Sequence, residues 1–285
     1  MSKLARTIPV AVLAATALMA APSAASASLT VGQVAPTTPT PTCASPVDRL
    51  QPTVSAGTTY IVPANGTITS WSTNAGTSPG QLKMKIFRKV SGDTYRAVGH
   101  DGPRDLTPSA INTFSTSVTA KAGDLLGLNS FSGTPNCSFD VTGDSYLRAP
   151  PASGTGDLAD GESAIFTDPV LDRHLNISAV LDPTNTLTFG QVVRNKKKGT
   201  ATLTVDVPNP GQLDYSGTGI KIAETAAVKT VTAAGPVKFK IKATGKKRKK
   251  LDQTGKVKVK PQFTFTPTAG TAGTQSIKLK LKKNL

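Results

Sequence analysis

Histidine, cysteine and tryptophan are nearly missing: the 285 residues contain two, two and one of them. With only His100 and His174, and no Cys–His spacing of the zinc type, sequence neighbours assemble no metal-ligand set. No G-x-S-x-G elbow and no D-x-D-x-D-G calcium loop occurs. Helix-type periodicity is scarce, while Thr, Val, Gly and Pro are abundant, which points to β-rich modules with many turns. These absences leave no catalytic residue, no metal and no cofactor motif to name, and the enzyme class loses its usual signatures.

Apolar runs of any length are confined to the N-terminus. There, Lys3 and Arg6 precede an apolar stretch from Ile8 to Ala21, and Ala25-Ser26-Ala27 supplies a small-x-small site. Residues 1–27 therefore read as a cleaved secretory signal peptide, since the run is shorter than the ~20 residues a spanning helix needs. No Cys stands at the cleavage point and "SIKLKLKKNL" carries no apolar tail, so the expected mature chain is secreted, has no transmembrane segment and has no anchor of its own. In an oxidising compartment the pair Cys43 and Cys137 reads as a disulfide, because two cysteines allow one intramolecular pairing.

Charge divides the chain. Residues 182–285 hold 21 Lys and Arg against 5 Asp and Glu, whereas residues 28–181 hold 10 against 12. Nearly all of the +16 net charge thus belongs to the C-terminal part, which marks two modules with different surfaces. Residues 28–42, "SLTVGQVAPTTPTPT", read as an extended, poorly ordered Thr/Pro-rich leader. Residues 43–181 read as a jelly-roll-like antiparallel β-sandwich. Short alternating runs such as "QLKMKIFRKV" set Leu82, Met84 and Ile86 against Lys83 and Lys85, with turn-forming clusters between runs.

Alternation is cleaner after the linker "LDPTNT". "VKFKIKA" sets Phe239 and Ile241 against Lys238, Lys240 and Lys242. "KVKVKPQFTFTP" sets Val257, Val259, Phe263 and Phe265 against Lys256, Lys258 and Lys260, and "SIKLKLKK" sets Leu279 and Leu281 against Lys278, Lys280 and Lys282. Glycines punctuate the runs, so residues 182–285 read as a seven-strand immunoglobulin-like β-sandwich, and the whole mature chain as all-β. Pro261 cannot donate to a ladder, so its strand is expected at an edge or with a bulge there.

The segments "NTLTFGQVVRNKKKGTATLTVDVPNPGQLDYSGTGI" and "KKRKKLDQTGKVKVKPQFTFTPTAG" resemble a C-terminal Lys-rich module common in secreted actinobacterial proteins. The shared features are the FG…NKKKGTATL opening, the VP-x-PG and SG-x-G turns, and KKL-x-x-x-GK before a strand ending in FTP. They cover most of residues 185–285. The resemblance implies an extracellular immunoglobulin-like β-module appended to other extracellular domains; it supplies no activity.

The lysines admit two readings. In one, they form a solvated sheet face that keeps a sandwich soluble. In the other, Lys238, Lys240, Lys242, Lys256, Lys258, Lys260, Lys278 and Lys280 share an electropositive face that contacts anionic cell-envelope polymers or polysaccharides. The run Lys246, Lys247, Arg248, Lys249 and Lys250 does not alternate; it reads as a helical or turn-like crossover with Leu251 in the core and Gly255 closing the turn. Specific nucleic-acid recognition is not expected, because the strands lack exposed aromatics for base stacking.

The competing function is a carbohydrate-binding module in residues 43–181. Its possible glycan contact is Trp71, which alternation places opposite Ile68, although a core position is the more common one for Trp in a sandwich. "GDSY" (143–146) and "LDRH" (171–174) are similar to pieces of lipase/esterase blocks, but Asp172 and His174 stand too close together for that family's spacing. "GDLADGE" gathers Asp157, Asp160 and Glu162, which read as a solvated turn or a weak cation loop.

Overall fold

The structure is a computed structural model that describes residues 28–44, 46–149, 156–221 and 228–285. The expected signal peptide, residues 1–27, lies outside the described residues. Among the described residues the chain is built from antiparallel strands with one helix, arranged as two β-sandwiches.

In the first sandwich, a four-stranded sheet runs in the order β1 (Leu29–Gln33), β11 (Ile177–Pro183), β3 (Gly66–Asn74) and β6 (Ile111–Ala120). It faces a seven-stranded sheet ordered β10 (Asp168–Leu175), β8 (Ser138–Arg148), β2 (Val47–Leu50), β7 (Leu125–Gly133), β4 (Gly80–Ser91), β5 (Thr94–Asp105) and β9 (Ser163–Ile165). Val31, Ile68, Trp71, Ile177 and Leu181 from the small sheet pack against Leu82, Met84, Ile86, Leu126 and Leu128 from the large one. Cys43 and Cys137 form the disulfide, which ties the N-terminal approach to the start of β8 across 94 positions.

Three expectations change here. Residues 29–33 are not a loose leader: Val31 is fully buried and the segment pairs with β11 from Leu29↔Leu181 to Gln33↔Ile177. The apolar alternation of "LTV" outweighs the Pro/Thr-rich composition that begins after it. Strand β4 is not half-buried, because Lys85 and Phe87 on its outer side are as inaccessible as Met84 and Ile86 on its inner side. Residues 156–166 fold back over that outer face, and Leu158, Ala164 and Phe166 build a satellite core with Phe87, Tyr95 and Ala97. Trp71 is fully buried as well. Against β11 the partner of Leu181 is Ile68 and that of Val180 is Ser70, so Thr69 is an extra residue in β3 that re-phases the strand, and both Ile68 and Trp71 point inward.

The second sandwich faces a three-stranded sheet, β12 (Thr188–Asn195), β13 (Thr200–Val207) and β16 (Gly235–Lys242), against β15 (Val228–Val231), β14 (Gly211–Thr218), β17 (Lys256–Pro267) and β18 (Gly273–Ser276). Strand β19 (Leu279–Lys282) pairs with the first half of β17. The core holds Leu203, Val205, Leu213, Tyr215, Phe239, Ile241, Phe263 and Phe265. Pro261 lies in a central strand, not at an edge. It is tolerated because β17 changes partner there, from β19 over residues 256–259 to β18 over 262–265. On the other side, Gly217 faces Pro261 with φ +146°, and a Cβ there would lie 2.9 Å from the Lys260 carbonyl oxygen.

Helix α1 (Gly245–Thr254) carries the chain from β16 in one sheet to β17 in the other. Leu251 is its buried residue, and Gly255 ends it in the left-handed region at φ 66°, returning its N–H to the Leu251 carbonyl.

Candidate functional site

Because β16 and β17 belong to facing sheets and both send their apolar side chains into one core, their lysines cannot share a face. Phe239 of β16 meets Phe263 of β17 edge-on, with centroids 5.0 Å apart. Lys238, Lys240 and Lys242 therefore project from one side of the sandwich, and Lys256, Lys258 and Lys260 from the other, together with Lys280. Lys278 is exposed between β18 and β19. The expected single lysine face is thus two faces, joined at one end by α1, whose Lys246, Lys247, Arg248, Lys249 and Lys250 are all exposed.

The surroundings of these cations differ. On β16, Lys238, Lys240 and Lys242 stand opposite Thr204, Thr202 and Thr200 of β13. On the other sheet, Lys256 stands directly opposite Lys282, and Lys258 opposite Lys280. Like charges in such cross-strand positions repel and destabilise the pair. No carboxylate relieves them: among the described residues of this sandwich the ion pairs are those of Arg248 and Lys283 with Asp252. Those two cations hold the Asp252 carboxyl below its usual range.

Helix α1 adds a second charge conflict. Lys246 and Lys247 occupy its first turn, where no acidic residue is present and the Thr244 side chain makes no capping bond. The helix dipole makes that end positive, so cations there cost about 0.3–1 kcal/mol each and an anion would gain a similar amount.

In the first sandwich the alternative site residues resolve otherwise. Trp71 offers no glycan platform: it is fully buried, its Nε1–H donates to Asp101 at 2.7 Å, and its ring packs on Phe114 at 4.7 Å. The acidic residues of "GDLADGE" disperse to separate partners. Asp157 pairs with Lys83 and Lys85, Asp160 lies 3.0 Å from His100, and Glu162 accepts the Ala159 N–H.

Lys85 belongs to a polar cluster that alternation misassigned to solvent. Its ammonium lies between Asp48 and Asp157 beneath the returning segment, and Asn129 donates to Asp48 at 2.7 Å. Burial pushes the Asp48 carboxyl up against the opposing pull of Lys85.

The strands bring "GDSY" and "LDRH" together across β8 and β10. His174 and Asp144, both buried, lie 2.5 Å apart. Ser55 donates its N–H and hydroxyl to the same carboxylate, and these bonds with that of His174 hold Asp144 below its usual range. Hydroxyl and imidazole both address the carboxylate and neither addresses the other, which is not the relay geometry of a nucleophile.

No family model and no curated protein matches the chain.

Proposed function

We propose that the chain is a secreted, non-enzymatic protein held at the cell envelope by its basic second sandwich, which contacts anionic polymers. The observation that carries this reading is the unrelieved opposition of Lys256 to Lys282 and of Lys258 to Lys280. A face needed only for solubility works with mixed charge, and alternating signs across the strands would also stabilise the sheet. Lysine at all four of these cross-strand positions trades that stability for an attraction that a polyanion satisfies. The cations at the start of α1 point the same way.

In the second sandwich three strands face five, with β18 and β19 sharing one edge of β17; this arrangement, with α1 crossing between the sheets, supports an immunoglobulin-like module. The disulfide is in keeping with an oxidising compartment.

Full-length mature protein bound to isolated cell walls tests the proposal. Retention falls steeply as NaCl rises from about 50 to about 500 mM, because the screening length shrinks from about 14 Å to about 4 Å over that range. Replacing Lys256, Lys258, Lys280 and Lys282 by Gln lowers retention at low salt. Retention that ignores both salt and these substitutions rejects the reading.

A further inference from the structure

We propose that the open side of the second sandwich, between the edge strands β15 and β16, is a discrete site for a tetrahedral oxyanion of the phosphate type; the inference rests on the polyanion reading above and adds to it a site apart from the Lys256–Lys282 face. A cleft of about 300 Å³ opens there. Lys221, Lys229, Lys238, Lys240 and Lys242 line it, with the rings of Tyr215 and Phe239 below. No acidic side chain stands among these described lining residues.

The cleft has a built frame. Ile220 bridges to Ala243, and the Lys221 N–H donates to the Lys242 carbonyl at 2.8 Å, which fixes one end. Lys229 crosses from β15 to β16: its ammonium donates to the Lys238 carbonyl at 3.2 Å and lies 4.6 Å from the centre of the Phe239 ring. That cation is therefore positioned by the two edges, unlike a lysine free in solvent. Lys240 and Lys242 continue into a second hollow, of about 200 Å³, beside Lys198 and Arg248.

An independent observation lies in the floor. Tyr215 is 5 % exposed, and its hydroxyl is buried with no hydrogen-bond partner among the described residues. Such a group costs about 1–3 kcal/mol when left unsatisfied. Its ring is fixed by stacking on Phe263 at 5.2 Å and by Phe239 at 5.4 Å, so the oxygen cannot swing away to find a partner. Burial pushes this phenol up to about 12, so at neutral pH it remains a donor. An oxyanion drawn between the flexible lysine stems gives the hydroxyl its missing acceptor.

The cations are ammoniums, compact point charges suited to a tetrahedral oxyanion. A planar carboxylate is better matched by a guanidinium fork, and the 300 Å³ cleft has no arginine among its described lining residues. A recess between two sheet edges admits a polymer chain carrying phosphodiesters more readily than the plane of a bilayer.

The test titrates the full mature chain with inorganic phosphate, sulfate, acetate, a poly(glycerol phosphate) and phosphatidylglycerol vesicles, following backbone amide resonances. Phosphate and the polymer are expected to saturate, with the largest shifts at Tyr215, Phe239 and Lys240. Tyr215→Phe weakens phosphate about tenfold, the worth of one bond to a charged acceptor, and leaves the thermal midpoint unchanged or raised. The double variant Lys240→Gln/Lys242→Gln weakens it further, while Lys196→Gln/Lys197→Gln, equal in charge but exposed in the turn between β12 and β13 and outside the cleft lining, does not. Equal losses from the two double variants, acetate binding as tight as phosphate, or a preference for vesicles over the polymer would overturn the site. None of those outcomes touches salt-dependent wall retention, so the broader reading stands or fails separately.

Discussion

Asn65 and Asn209 exchange hydrogen bonds across the junction of the two sandwiches: the Asn65 N–H donates to the Asn209 Oδ1 at 2.8 Å, and the Asn209 Nδ2 returns to the Asn65 carbonyl at 2.8 Å. Asn65 also donates to the Pro208 carbonyl, and Asn209 to that of Thr184. The short connection between sandwiches is thereby stapled by side chains from both sides, and Asn209 is almost wholly buried.

Asn209→Ala strips these partners from buried backbone groups and is expected to cost about 1–3 kcal/mol. Limited proteolysis at residues 184–187, compared with wild type, reads the loosening directly. Unchanged cleavage would show that the staple does not hold the junction.

Removing the disulfide with Cys43→Ser/Cys137→Ser is expected to destabilise the first sandwich by about 4–5 kcal/mol, because the bond closes a loop of 94 positions in the unfolded chain. Urea unfolding followed by Trp71 fluorescence measures it, since this residue passes from a fully buried site to water. A midpoint shift confined to the second sandwich would contradict the assignment.

Trp71→Ala is expected to cost about 3–5 kcal/mol through the cavity it leaves. Wall retention of the folded fraction should not change. A specific loss of glycan or wall binding at unchanged stability would restore Trp71 as a contact residue.

Stability should fall on acidification below about pH 4. In Asp101, burial raises the carboxyl, but bonds from Arg104 and Trp71 outweigh it and hold it low; in Asp157, Lys83 and Lys85 likewise outweigh burial. Asp144 is held low by Ser55 and His174. A carboxyl lowered in the folded state contributes stability above its unfolded value and loses it as pH drops through the folded one. Asp48, raised by burial, works in the opposite sense. Urea midpoints across the acid range check the balance, and Asp144→Asn should flatten the profile. A midpoint that rises steadily toward pH 2 would refute it.

Much of the architecture is legible in the sequence because period-2 alternation reports which side of a strand is apolar, and the second sandwich keeps that period through β13, β16, β17 and β19. What alternation does not report is which sheet a strand joins. Lys238 and Lys256 follow one rule and face opposite ways, because α1 moves the chain between layers. Nor does it report what covers the outer side of a sheet: Lys85 has a surface lysine's spacing, yet residues 156–166 bury it. The extra residue Thr69 hides Trp71. The Tyr215 hydroxyl lacks any sequence signal, since its surroundings are set by Phe263 on the neighbouring strand and Phe239 on the facing sheet.

The double variant Lys280→Glu/Lys282→Glu, measured for both thermal stability and wall retention at low salt, tests the polyanion reading most directly. Each substitution turns a like-charge pair into an attractive one, so folding stability should rise by about 0.2–1 kcal/mol per pair. Retention should fall at the same time, because the face loses its single sign. Stability that rises while retention holds would mean that the lysines serve solubility alone.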